Sequence, residues 1–341
     1  MTAQSKYNEI NYLPALFLRY QHPLRPFFRL SYHREMAVRL WGTSLILCAV
    51  LASAGIVEDV RSQLAYNNFA PAELVLSRYR AQHGEDPEYL EALSWMARAS
   101  LSANQFDQAS KFATQTESGV RTLLQRRVLD ADEHLPIALG AALEVQAGVL
   151  SARGQNSEAV ALLRHGLAVY GNTSIRARLQ KNLNLLALTG QPAPALSLTE
   201  YLGPKPVALT QKKGSPVLLF FWAHWCVDCK SEGPIIARLS SEFASRGLSV
   251  LAPTQLYGYA AQGEDAKPKD ELAYIQQVWQ HYYSGLQNVP VPVSKANFNN
   301  YGASTTPTLV LVDRAGKVAL YHPGVLPYEE LREVIEKTLT N

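Results

Sequence analysis

The sequence predicts a two-part fold: an all-α, helical-repeat-like region followed by an α/β domain. Three observations carry this. From residue 59 to about 190, apolar positions recur at helical spacing. From Val217 onward, β-type runs alternate with amphipathic stretches in a βαβ-then-ββα order. Between strand and helix sits Cys226-Val227-Asp228-Cys229, two cysteines at C-x-x-C spacing. The 341 residues have room for about two domains. A content of 47% apolar and 18% charged residues supports a folded core.

The N-terminal quarter bears on compartment. Leu40 to Val57 is an 18-residue run without charge, between Arg39 and Glu58. Lys6, Arg19, Arg25, Arg29, Arg34 and Arg39 precede it, a bias that retains this flank in the cytoplasm. Ala52-Ser53-Ala54 fits signal cleavage before Gly55. Residues 36–57 are therefore expected to be a signal peptide or a single membrane anchor, with residues 1–35 an N-terminal extension ahead of a second start at Met36. Either reading exports the C-terminal bulk, to the periplasm or its extracytoplasmic equivalent. Cys48 lies inside the apolar run and has no expected role.

The helical region is expected over residues 58–190. Pro71-Ala72-Glu73-Leu74 opens one helix, and Asp86-Pro87-Glu88 is a cap-plus-proline start for the next. Leu93, Met96, Ala97 and Leu101, then Phe106, Ala109 and Phe112, form a helix–turn–helix. Leu143, Ala147, Leu150, Gly154, Ala159 and Leu163 repeat that small/large pattern, and Leu179, Leu183 and Leu186 do so more loosely. The pattern resembles tetratricopeptide repeats, with irregular spacing between copies. An idiosyncratic helical bundle would be patterned in the same way.

The C-terminal domain is expected over residues 191–341. Its strands are Val217–Trp222, Leu248–Ala252, Val289–Val293, Thr308–Val312 and Val318–Tyr321, the last two joined as a hairpin by Asp313-Arg314-Ala315-Gly316. Helices are expected over Cys226–Arg246, Asp270–Tyr283 and Tyr328–Leu339. The stretch Tyr257–Lys269 is expected to be a loop or lid beside the cysteines.

The C-x-x-C pair carries the chemistry. A thiol on the first turn of a helix meets unpaired backbone N–H groups and the positive end of the dipole. Both favour a thiolate, and a second thiol one turn on can resolve a mixed disulfide. A zinc site would need two further paired ligands, and Cys48 and the eight histidines offer no such pair. A purely structural disulfide this short would close a tiny loop and add little. A net charge of +3 without a Lys/Arg block gives no basis for nucleic-acid binding. No G-x-x-x-x-G-K loop supports nucleotide binding, and no cofactor is expected.

The segment Trp222-Ala223-His224-Trp225-Cys226-Val227-Asp228-Cys229-Lys230-Ser231-Glu232-Gly233-Pro234 resembles the active-site segment of the thioredoxin superfamily. In detail it is similar to the TlpA/ResA-like thiol–disulfide oxidoreductases. Gln191-Pro192-Ala193-Pro194 and the run Leu196 to Leu209 resemble the lead-in of that branch, and Tyr301-Gly302 through Thr306-Pro307-Thr308 resembles its cis-proline loop.

The resemblance implies a thioredoxin-like domain in which Cys226 is the exposed attacking thiol and Cys229 the buried resolving thiol. It implies that Pro307 is a cis-proline facing the dithiol and that Pro234 kinks the active-site helix. Thr306 would offer its backbone to an extended substrate, with Trp225 beside it in the substrate site. Thioredoxin's buried aspartate is replaced here by Phe220, so Glu232 is the expected proton acceptor for Cys229; a solvated helix glutamate is the other reading of Glu232.

The expected activity is exchange of disulfides with partner proteins, reduction being the favoured direction, with an unnamed soluble or membrane electron donor upstream. Two alternatives remain open. One is a helical-repeat scaffold whose redox domain docks a partner or switches state. The other is a thiol peroxidase-like redoxin, which calls for a Pro/Thr-rich context that Cys226 lacks.

Overall fold

The computed structural model describes residues 55–340. Residues 1–35, the run from Leu40 to Ala54, Cys48 and the Ala52-Ser53-Ala54 cleavage site lie outside them. The last two residues of the apolar run, Ile56 and Val57, begin the first helix, and Ile56 is buried in the helical core.

Among the described residues seven helices come first: α1 Ile56–Ala65, α2 Phe69–His83, α3 Pro87–Ser102, α4 Phe106–Leu123, α5 His134–Ala152, α6 Asn156–Tyr170 and α7 Arg176–Ala187. The start of α3 forms as its sequence dictates. Asp86 accepts the Tyr89 backbone N–H at 2.8 Å, and Pro87 occupies the first turn, where no N–H is needed. Each odd-numbered helix packs on the next, α1 on α3, α3 on α5 and α5 on α7, while α2, α4 and α6 fold back as hairpin partners.

The three hairpin turns share one geometry. Asn67, Asn104 and Gly154 each take a left-handed conformation. The next residue, Asn68, Gln105 or Gln155, donates its N–H to Gln63, Ser100 or Leu150 in the same closing pattern. Four residues further on, Ala72, Ala109 and Ala159 are fully buried. The turns lie 37 and 50 residues apart, because an extra connection, including the short Leu129–Ala131 turn, separates α4 from α5. That insertion is why the repeat is irregular in sequence. Among the described residues only α5 is long and apolar enough to cross a membrane, and it is mostly buried at the centre of the helical stack.

The C-terminal domain holds a four-stranded sheet in the order β3-β2-β5-β6, from β2 Val217–Phe221, β3 Ser249–Leu251, β5 Thr308–Val312 and β6 Val318–Pro323. β2 runs parallel to β3 and antiparallel to β5. A separate two-stranded ribbon pairs β1 Tyr201–Leu202 with β4 Val291–Pro292, so the run expected at Val289–Val293 lies outside the main sheet.

Side chains of β2 alternate between two cores. Leu218 and Phe220 join Ile236 and Leu239 of α8 (Val227–Phe243), Ile275 of α9 (Pro268–Tyr282) and Ile335 of α11 (Tyr328–Thr340). Val217, Leu219 and Phe221 join Phe298 and Tyr301 of α10 (Lys295–Tyr301). Both faces of the sheet are therefore covered, which explains the unbroken apolar runs of β2 and β5.

The two parts are stitched together. Asn184 of α7 donates through Nδ2 to the Tyr301 carbonyl at 2.9 Å. Gly190 donates to the Val318 carbonyl, Val318 to Gln191, and Ala193 to Gly316. Gly302 lies against α7 so closely that a Cβ there would stand 2.2 Å from the Lys181 backbone nitrogen. Its φ of 61° is also one that glycine adopts without steric cost.

Candidate active site

The sheet register assembles the site. Phe221, the last residue of β2, pairs with Thr308, the first of β5. The loop leaving β2 and the loop entering β5 therefore end side by side. The first carries Cys226, which caps α8: its Sγ accepts the Cys229 backbone N–H at 3.0 Å. The second carries a cis Thr306-Pro307 bond, and Thr306 O lies 3.4 Å from Cys226 Sγ.

Cys226 and Cys229 are joined as a disulfide, with Cα atoms 5.3 Å apart. Cys229 is fully buried and Cys226 is 3% exposed. The expectation of an exposed Cys226 is thus corrected: the sulfur is bonded to Cys229 and lies against the Thr306 carbonyl. The residue presented to solvent at this end of the helix is Val227.

Glu232 is 2% exposed, one turn beyond Cys229 on α8, so it is not a solvated helix glutamate. Burial disfavours the carboxylate and pushes its pKa up to about 7; a backbone hydrogen bond from Leu326 acts in the opposite direction, and the charge of Asp228 adds to the rise. Its Oε1 has no hydrogen-bond partner among the described residues. Pro234 lies inside α8, which continues through it to Phe243. Phe220 is fully buried on β2.

Trp225 is half-buried, its ring edge-on to Tyr257 at 5.7 Å. It lines a cleft of about 740 Å³ together with Thr306, and the helical region contributes Asp130 to Glu133, Pro136, Ile137 and Gly171 to Arg178.

The stretch expected to be a lid is only partly loose. Tyr257 and Tyr259 are buried, and Glu271 on the first turn of α9 accepts the backbone N–H groups of Tyr257 and Gly258. That carboxylate also faces His224, Nε2 to Oε1 at 3.5 Å. The rings of Tyr257, Tyr259 and Tyr274 stand edge-on around the imidazole at 5.2–5.5 Å. In sequence His224 is only one of eight scattered histidines; its partner lies 47 residues on, and the signal is confined to three tyrosines and a helix-start glutamate.

A second buried charge cluster lies in the helical region. Glu144 accepts from Arg178 Nε at 2.6 Å and Lys181 Nζ at 3.1 Å, and these cations with Arg98 hold its carboxyl well below the usual range despite burial. Among the described residues no group of His, Cys, Asp and Glu is arranged to hold a metal ion.

The arrangement can perform thiol–disulfide exchange: two sulfurs in bonding distance, one at a helix N-terminus beside the Thr306 carbonyl. The comparisons with known proteins agree. Residues 205–339 match the family model of a thioredoxin-like domain. The thiol-disulfide oxidoreductase ResA of Bacillus anthracis is 30% identical over 150 residues, which span 77% of that protein and 43% of this chain. The protein belongs to the ResA-like thiol–disulfide oxidoreductases of the thioredoxin superfamily.

Other relatives of this family include the thioredoxin-like protein YneN of Bacillus subtilis, 28% identical over 78% of its length and 43% of this chain. The thiol:disulfide interchange protein DsbE of Xylella fastidiosa (strain Temecula1) is 30% identical over 64% of its length and 41% of this chain. The thioredoxin-like family match begins at residue 205, after the seven helices of the helical region.

Proposed function

We propose that this oxidoreductase is an exported reductase of protein disulfides, working through Cys226 and Cys229. The observation that carries this reading is Cys226 at the α8 N-terminus, bonded to Cys229 and 3.4 Å from the Thr306 carbonyl. In the dithiol form, the Cys226 thiolate attacks one sulfur of a partner disulfide. A mixed disulfide forms and the partner's other sulfur leaves as a thiolate. Cys229, deprotonated, then attacks Cys226 Sγ and expels the second partner thiolate. The partner gains two electrons and two protons, and the Cys226–Cys229 disulfide remains. A dithiol protein upstream restores the reduced form.

Glu232 is the proposed proton acceptor for Cys229. A carboxyl poised near neutrality can both take and return a proton under working conditions. Thr306, held by Pro307, offers its backbone to an extended partner chain, and Trp225 flanks it. The Asp228 carboxylate beside the sulfurs disfavours the thiolate, which favours the disulfide form and hence reduction of partners.

Export is proposed from the apolar run ending at Val57, read as signal or anchor in residues 36–57. The proposed domains are the helical residues 58–190, with α1 starting two residues earlier, and the thioredoxin-like residues 191–341. A phosphatase fused after Asn341 tests export; activity confined to the cytoplasm would refute it. Turnover of a decapeptide closed by an internal disulfide tests the activity. Failure of the reduced protein to open it would leave a scaffold or redox switch, and peroxide turnover in its place would leave a peroxidase.

A further inference from the structure

The cleft beside the disulfide is built from both halves of the chain. Trp225, Gln255, Asn299 and Thr306 line one side, and Asn172 and Ser174 belong to the other. Such a cleft could open and close if the helical region were merely tethered. It is not tethered. Helix α7 lies on the Gly302 backbone, and Asn184 is bonded to Tyr301. The connecting residues Gly190 to Ala193 are hydrogen-bonded along the β5–β6 hairpin. The helical wall therefore stands at a fixed distance from the redox loop.

The chemistry of the lining selects a kind of ligand. The polar surface is mixed: the amides of Asn172, Gln255 and Asn299 stand among acids and bases, such as Asp130, Arg176 and Lys295. Asn172 and Asn299 have no side-chain partner among the described residues, so each offers a free donor and acceptor. Amides contributed to one cleft by both halves of the chain suit a ligand that alternates N–H and C=O groups, which is the backbone of an extended polypeptide. A volume of about 740 Å³ accommodates several residues of such a chain. A small disulfide needs only Cys226 and would leave the helical wall untouched.

We infer that the helical region forms one wall of the substrate site and holds the polypeptide flanking the target disulfide, so that it determines selectivity for peptide over small-molecule disulfides. The inference rests on the reductase reading of Cys226 and Cys229. It assigns the helical region a direct contact with the reacting chain, beyond any role in recruiting partners elsewhere on its surface.

The test uses the full chain, reduced, with two probes: the decapeptide closed by an internal disulfide, and the small disulfide 5,5′-dithiobis(2-nitrobenzoic acid). Asn172→Trp fills the cleft from the helical wall at an exposed position. Asn299→Ala removes an amide from the opposite wall and adds no bulk. The expected result is a fall of about fivefold or more in kcat/KM for the peptide with Asn172→Trp, a smaller fall with Asn299→Ala, and small-disulfide rates within about twofold of the parent. Unchanged peptide rates, or equal falls for both probes, would overturn the inference. A parent that does not reduce the peptide fails the reductase reading itself, which separates the two failures.

Discussion

His224 Nε2 lies 3.5 Å from Glu271 Oε1, with both side chains 1% exposed. His224 stands two residues before Cys226, and Glu271 accepts the backbone N–H groups of Tyr257 and Gly258. One carboxylate thus joins the active-site loop, the 257–259 segment and helix α9. Paired burial of this kind is costly to break from one side, because the surviving polar groups stay buried without a partner.

Glu271→Ala is accordingly expected to destabilise the protein by about 2–4 kcal/mol, from two orphaned backbone N–H groups and the loss of the contact with His224. Urea denaturation measures the loss. Hydrogen exchange is expected to accelerate at Tyr257 and Gly258 before the sheet. Unchanged exchange there would mean the segment is held by its tyrosines alone.

Glu232 gives a pH dependence whose sign follows from burial. Its pKa rises from the ordinary 4.5 to about 7 in the folded protein. Between those values the native state holds a proton that the unfolded chain has released. Stability therefore falls as pH rises through this window. Glu232→Gln removes that slope: the variant is expected to match the parent near pH 4 and to exceed it by about 1–3 kcal/mol above pH 7. The same variant is expected to release mixed disulfides more slowly at neutral pH. Parallel stability curves for the two proteins would show that Glu232 titrates as an ordinary surface carboxyl.

Much of this fold is legible locally. Asp86-Pro87 marks a helix start, Thr308–Val312 a strand and Asp313-Arg314-Ala315-Gly316 a turn, because each is decided by neighbours within a few residues. Cys226, Cys229 and Thr306-Pro307 are likewise found by short motifs. What escapes the sequence is decided at long range. The burial of Cys226 depends on a carbonyl 80 residues on. The helical repeat is hidden by an insertion between α4 and α5, although Ala72, Ala109 and Ala159 repeat one buried position. The docking of α7 on Gly302 leaves no periodic trace, since it rests on a single missing side chain.

That docking is itself testable. A Cβ at Gly302 would stand 2.2 Å from the Lys181 backbone nitrogen, at a φ of 61°. Gly302→Ala is expected to cost about 2–4 kcal/mol, from overpacking plus the left-handed backbone. Gly316→Ala is the control: its φ is also positive, but a Cβ there meets nothing within 4 Å, so only the backbone cost of about 1 kcal/mol is expected. Equal thermal stabilities of the two variants would remove the close approach of α7.

The central claim is that Cys226 attacks and Cys229 resolves. Reduced Cys229→Ser and Cys226→Ser proteins are each mixed with the disulfide-closed decapeptide, and the adducts are mapped by mass spectrometry. Cys229→Ser is expected to accumulate a one-to-one mixed disulfide at Cys226, while Cys226→Ser, whose remaining thiol is fully buried, stays free. An adduct on Cys229 forming as fast as one on Cys226, or no adduct on either, would contradict the account.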